Sequence, residues 1–146
     1  MKKRKRVVRF HIENHQQKVK IDCTKIMTVL EKGITFFNPP PLYINISLVS
    51  NKKIKELNRK FLQKSTPTDI LSFKISRYEG EVIISAEMAA ENCKKYGMTV
   101  EDELLYLIIH GYLHLKNYTD YTEKEIKRMF RKQDRIFKII KEFETQ

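Results

Sequence analysis

The chain has 146 residues, 41% apolar and 32% charged, a length and balance that suit one domain with its own core and exclude a disordered polyelectrolyte. Its 29 Lys and Arg outnumber 18 Asp and Glu, leaving +11, and such a surplus attracts polyanions at long range, nucleic acid first among them. No apolar run comes near the roughly 20 residues of a membrane-spanning helix, so no membrane partner is expected and the location expected is a reducing cytoplasm.

The start, MKKRKR, has a signal-like charge, but Arg9, His11 and Glu13 interrupt the apolar stretch that a secretory leader needs. Residues 1–5 are expected as a basic arm of a single domain over 1–146. The spacing predicts a strand over 6–12 and a helix over 22–36 with Ile26, Val29, Leu30 and Gly33 on one face. NPPP at 38–41 stops that helix, because proline removes backbone donors. Residues 43–49 alternate as a strand does, turning Ile44, Ile46 and Leu48 to the core. Ser50 caps a helix over 51–62 whose buried stripe is Ile54, Leu57, Phe61 and Leu62. After the loop QKSTP, strands over 69–75 and 81–85 are joined by SRYEG, with Gly80 supplying the positive φ of a hairpin.

A helix over 86–96 ends at Gly97, and Thr99 with Asp102 forms a capping box for the next helix, which carries HGYLHLKNYTD at 110–120. Thr122 with Glu125 opens a last helix reaching residue 143, its apolar stripe being Ile126, Met129, Phe130, Phe137 and Ile140. Between 122 and 142 eight basic side chains face four acidic ones, which makes the outer face a candidate phosphate-contacting surface. This element order predicts an α+β fold, a small mixed β-sheet packed with helices.

His110 and His114 are four residues apart, about 40° around a helix, so their rings can converge on one ion. Asp120, six residues further, cannot share that face, but Asn117 tolerates a left-handed helix end and Thr122 starts a new helix, leaving Asp120 in the turn. Two imidazoles and a carboxylate suit a divalent transition metal and leave a fourth position open, as in catalytic zinc sites. A bare His-x3-His pair is often a chance pattern; the helix break and Gly111, costing about 1 kcal/mol against alanine in a helix, tip the reading to a site. Gly111 also occupies the place of the general-base glutamate of HExxH peptidases, which disfavours a peptidase. His11 and His15 share the spacing on a strand and its exit, where residues four apart are over ~10 Å apart, and are expected as structural or exposed. Cys23 and Cys93 lack a metal-type spacing and are expected as reduced thiols.

HGYLHLKNYTDYT resembles the signature of the YbeY family of ribosomal RNA maturation factors, His-Gly-x-Leu-His-Leu-x-Gly-Tyr-Asp-His, matching it at His110, Gly111, Leu113, His114, Leu115 and Tyr118. LNRKFLQKSTPTDILSF at 57–73 and GEVIIS at 80–85 are similar to two further family blocks in the same order. The resemblance implies a metal-dependent, single-strand-specific endoribonuclease of small-subunit (16S) ribosomal RNA 3′-end maturation and ribosome quality control. It implies one Zn(2+) per chain at the end of a central helix, held by His110, His114 and Asp120, with Asp120 where the family usually has its third histidine. Ribosomal RNA and the small ribosomal subunit are the partners so implied, and the chain is expected as a monomer. His114, Arg59 and Glu103 are the expected catalytic set. Glu103 precedes His110 by seven residues on nearly the same face, where a helix-dipole role is its alternative. Two departures stand out. The carboxylate lowers the site's charge by one unit, and Leu62 replaces the arginine thought to meet RNA phosphate, leaving Arg59 or Lys64 to reach it. Asn117 and Thr119 replace the usual glycine and aspartate. The alternative reading is a non-catalytic ribosome assembly factor with a structural metal.

Overall fold

In YINISLV the alternation turns Ile44, Ile46 and Leu48 to one side, and all three are fully buried in the structure. The computed structural model describes residues 8–33, 42–63 and 68–144. Their order is β1 (Val8–Asn14), α1 (Cys23–Gly33), β2 (Leu42–Val49), α2 (Asn51–Leu62), β3 (Ile70–Ser76), β4 (Glu79–Ser85), α3 (Ala86–Tyr96), α4 (Val100–Leu115) and α5 (Glu123–Glu144). The four strands form one mixed sheet in the order β1-β2-β4-β3, with β2 parallel to both neighbours and β3 antiparallel to β4. The architecture is α+β, as expected. The arm at 1–5, the end of the first helix beyond Gly33 and the NPPP stop lie outside the described residues.

Two layers cover the sheet unequally. The main core joins Ile44, Ile46, Val82 and Ile84 of the sheet to α1, α4 and α5, while a smaller cluster of Val49, Ile54, Leu71 and Ile83 seats α2 on the opposite face. Ten of the sixteen residues of α4 are buried, so this helix is apolar nearly all round and sits in the middle of the molecule. It lies against β3 and β4 and is flanked by α1, α3 and α5.

Several local expectations hold. Ser50, Thr99 and Thr122 hydroxyls accept from the backbone N–H three residues on, and Gly97 takes φ 65 at the end of α3. The boxes at Thr99 and Thr122 are only half formed, because the Asp102 carboxylate turns instead to Lys141 Nζ at 2.7 Å and the Glu125 carboxylate to Thr119 Oγ1 and the Tyr121 N–H. Other expectations change. Gly80 does not turn the hairpin; it lies within β4, and a Cβ there would stand 2.5 Å from Leu115 Cδ1, so its purpose is to let the end of α4 close on the sheet. On α2, Phe61 and Leu62 are exposed and Asn58 is buried in their place, Phe61 meeting the edge of Phe73. On α5 the buried seam is Met129, Gln133, Ile136 and Ile140; Ile126 and Phe130 are exposed, because contact with α1 and α4 selects a narrower stripe than the apolar residues offer.

Gly111 is the tightest point of the α4–sheet contact. A Cβ there would lie 2.8 Å and 2.9 Å from the two Val82 methyls and 3.1 Å from Ser72 Oγ. Alanine gains about 1 kcal/mol of helix propensity, but overpacking against a stiff β-branched side chain costs about 1–3 kcal/mol. Gly111→Ala is therefore expected to lower stability by up to about 2 kcal/mol in urea denaturation. An unchanged midpoint would show that α4 can lift off the sheet without penalty.

Candidate metal centre

The last turns of α4 carry His110 and His114, and the way the helix ends decides what meets them. Asn117 adopts φ 71; its N–H donates to the His114 carbonyl and the Tyr118 N–H to the Leu113 carbonyl, both at 3.0 Å. This is a Schellman end, which reverses the chain at once. The reversal brings the Tyr118 carbonyl within 3.0 Å of His114 Nδ1. Beyond it, the Glu125 carboxylate accepts from Thr119 Oγ1 at 2.7 Å and from the Tyr121 N–H at 3.0 Å, bracketing Asp120. These bonds hold the Glu125 carboxyl below its ordinary range.

The tautomers follow from the partners. A carbonyl only accepts, so His114 Nδ1 carries a proton, and in the neutral ring Nε2 is then a bare lone pair. Gln133, only 2% exposed, donates through Nε2 to the Tyr106 carbonyl at 3.1 Å. Its Oε1 therefore faces His110 Nδ1 at 3.2 Å and must accept, which bares His110 Nε2 as well. The two Nε2 atoms lie 3.1 Å apart, and Asp120 Oδ2 is 3.7 Å from that of His114. One ligand atom from each of the three residues falls within 4.8 Å of the others.

Two lone pairs facing each other beside a carboxylate repel unless a positive charge sits between them. Burial, the largest influence, holds His110 below its ordinary pKa, which resists supplying that charge as a proton on His110. The donor set thus fits a divalent cation, with hydrogen bonds orienting each imidazole from behind in the way metal-ligating histidines require.

Residues 11–141 match the family described as Endoribonuclease YbeY. The chain belongs to the YbeY endoribonuclease family. The Endoribonuclease YbeY of Carboxydothermus hydrogenoformans is 36% identical over 132 residues, covering 86% of this chain and 92% of that protein. That of Syntrophotalea carbinolica is 32% identical over 143 residues, covering 90% and 95%. A solution structure from Thermotoga maritima is similar with a TM-score of 0.64 at 30% identity, over 90% of this chain and 89% of that one.

Not every residue expected at a YbeY site gathers here. Glu103 lies two turns before His110, buried, with its carboxyl pushed up to about 6 first by burial and then by the charge of Asp69. Asp69, at the entry to β3, also acts on His110 and so links the two electrostatically. Arg59 is exposed on the last turn of α2, on the other face of the sheet, and no contact among the described residues joins it to the histidines. Leu62 is exposed there too. His11 and His15 remain outside this group as expected, though both exposed rings reach the one carboxylate of Glu13, at 3.2 Å and 2.8 Å, on β1 and just past its end. Both cysteines are free, and among the described residues no helix is long and apolar enough to cross a membrane. Sequence reasoning missed Gln133 and the Tyr118 carbonyl; a lone polar residue in the seam 129, 136, 140 was the available signal for the first.

Glu103 offers a sign test. Its folded pKa of about 6 exceeds the ordinary 4.5, so its contribution to stability is complete below 4.5 and is lost as pH rises through about 6. Glu103→Gln cannot ionise, and its stability relative to the parent is expected to improve between pH 4.5 and pH 7 in thermal melts. A parent that gains on the variant over that range would mean that the carboxylate has a stabilising partner.

Proposed function

We propose that this YbeY chain is a metal-dependent, single-strand-specific endoribonuclease that acts in 3′-end maturation of 16S ribosomal RNA and works on the small ribosomal subunit in the cytoplasm. One Zn(2+) per chain would be held by His110 Nε2, His114 Nε2 and the Asp120 carboxylate. The facing Nε2 atoms, 3.1 Å apart and each bared by a partner behind it, are the observation that carries this reading. When bound, the ion supplies Lewis-acid polarisation of a phosphodiester oxygen.

The chain's own residues do the rest. Gln133 and the Tyr118 carbonyl fix both rings, so neither imidazole has to reorient on binding. The Glu103 carboxylate, with a pKa of about 6, would be ionised at neutral pH and is the group we assign to take up a proton. Arg59, exposed at the end of α2 across the sheet from the histidines, would meet the RNA backbone only away from the ion and does not replace the side chain lost at Leu62 beside it. With a carboxylate ligand in place of an imidazole, the site attracts phosphate less, and basic groups outside it must hold the strand.

The test is cleavage of a precursor ribosomal RNA and of single-stranded and duplex RNA by protein stripped of metal and then reloaded. Cleavage of single strands that disappears on stripping and returns with zinc is the expected result. Cleavage indifferent to stripping would remove the metal from the mechanism. No cleavage with any divalent ion would favour an assembly factor whose metal only joins α4 to the following turn.

A further inference from the structure

Tyr118 has two sides: its carbonyl orients His114, while its ring closes one end of a cleft of about 230 Å³ on the outer face of α5. The other walls are Arg128, Arg131, Lys132 and Arg135. Their spacing of three, four and seven residues from the first puts all four on one side of the helix. Lys124 and Lys138 extend the same stripe by one turn at each end.

The positive charge of this cleft is not neutralised from within the fold. Among the described residues Arg131, Lys132 and Arg135 have no ion pair, and the Arg128 guanidinium lies over the Tyr118 ring, 5.3 Å from its centroid. The nearby acids are turned elsewhere: Asp134 accepts from Tyr106 Oη at 2.7 Å, on the α4 side, and Glu125 is engaged with Thr119 and Tyr121. Four cations converging on one small cleft repel one another and cost stability, so an arrangement left unpaired points to an anion brought from outside. Guanidinium forks match phosphate oxygens two at a time, and three of the four are arginines.

We infer that this cleft is a phosphate-binding subsite for the single-stranded RNA substrate, holding the backbone of a nucleotide that flanks the one presented to His110, His114 and Asp120. The inference rests on the endoribonuclease reading for the identity of the RNA, but not on the metal. It also places the strand-holding charge that Leu62 does not supply on α5. An RNA entering over Tyr118 passes from the arginine stripe to the histidines across a single residue.

The experiment measures binding of a single-stranded RNA 12-mer to metal-stripped protein over a range of salt concentrations, using the parent and Arg131→Gln/Lys132→Gln/Arg135→Gln. A charge-matched control, Lys32→Gln/Lys94→Gln/Lys95→Gln, removes three exposed lysines from α1 and α3. Each phosphate contact on a single strand contributes about 0.7 to the slope of log affinity against log salt. The α5 variant should therefore lose about 2 from that slope and at least tenfold in affinity at moderate salt, with the control close to the parent. In metal-reloaded protein the same variant should raise KM and leave kcat within a few-fold, with an unchanged circular dichroism spectrum.

A slope and affinity equal to the parent's, or a loss matched by the control, would overturn the subsite, as would failure of the parent to bind the 12-mer. Binding that depends on the α5 residues in a protein that cleaves nothing would leave the subsite standing and remove the nuclease reading instead.

Discussion

Replacing His114 with alanine is expected to lower RNA cleavage by about three orders of magnitude, since a Lewis acid at a phosphodiester is worth several kcal/mol in the transition state. The same substitution should abolish stabilisation by metal. A ligand at a hundred times its dissociation constant adds about 2.7 kcal/mol to the folded state. For a domain of this size that is roughly 5–10 °C in melting temperature. Parent protein should show this rise with zinc and His114→Ala should not. The stripped proteins should behave differently from a simple loss of contacts. Alanine removes one of two lone pairs that face each other at 3.1 Å and improves helix propensity, while the Tyr118 carbonyl it abandons belongs to a residue that is only half-buried. Stripped His114→Ala should therefore melt no lower than stripped parent. A parent melting curve unmoved by any divalent ion, or a His114→Ala protein that still cleaves, would end the metal account.

Gln133→Leu should weaken metal binding about 10- to 100-fold although Gln133 touches no ion, because a ligating histidine depends to that extent on the group behind it. Leucine fills a similar volume but can neither accept from His110 Nδ1 nor donate to the Tyr106 carbonyl. The stability cost should fall at about 1–3 kcal/mol, the penalty of leaving a buried donor unpaired; the Tyr106 carbonyl keeps its place in the helical ladder and adds little. Gln133→Glu separates orientation from packing. Its carboxylate still accepts from Nδ1–H, so metal affinity should return to within a few-fold of the parent, while stability should not recover, because a carboxylate at this buried position is desolvated and faces the Tyr106 carbonyl with no proton to give it. The ¹⁵N shifts of the His110 ring report the tautomer directly. If Gln133→Leu keeps both the Nδ1–H tautomer and the parent's zinc affinity, the glutamine only packs.

What could be read from residues alone was whatever local geometry enforces. A helix holds residues four apart on one face, so the convergence of His110 and His114 follows from spacing, and Asn117 is one of few residues that accept the left-handed conformation needed to reverse the chain toward Asp120. Caps at Ser50, Thr99 and Thr122 are equally local. The three matching blocks carried the family, because they preserve these local features in order.

The remainder depended on which surfaces meet, and nothing along a single segment decides that. Gly80 looked like a turn residue and proved to be a seat for Leu115, thirty-five positions away; Gly111 proved to be a seat for Val82. The apolar residues of α5 allowed more than one buried stripe, and only docking against α1 and α4 selected the seam containing Gln133, which places a side chain 23 residues from His110 against its ring. The same docking turns Arg128, Arg131, Lys132 and Arg135 outward beside Tyr118. Arg59 shows the converse: inside a family block by sequence, it rides on α2, across the sheet from α4. Spacing and the helix end thus placed the candidate ligands, and packing determined what orients them and where the charge lies. Hydrogen-bond partners and helix rotation are set by the total burial of the fold, a sum over contacts that no local pattern contains.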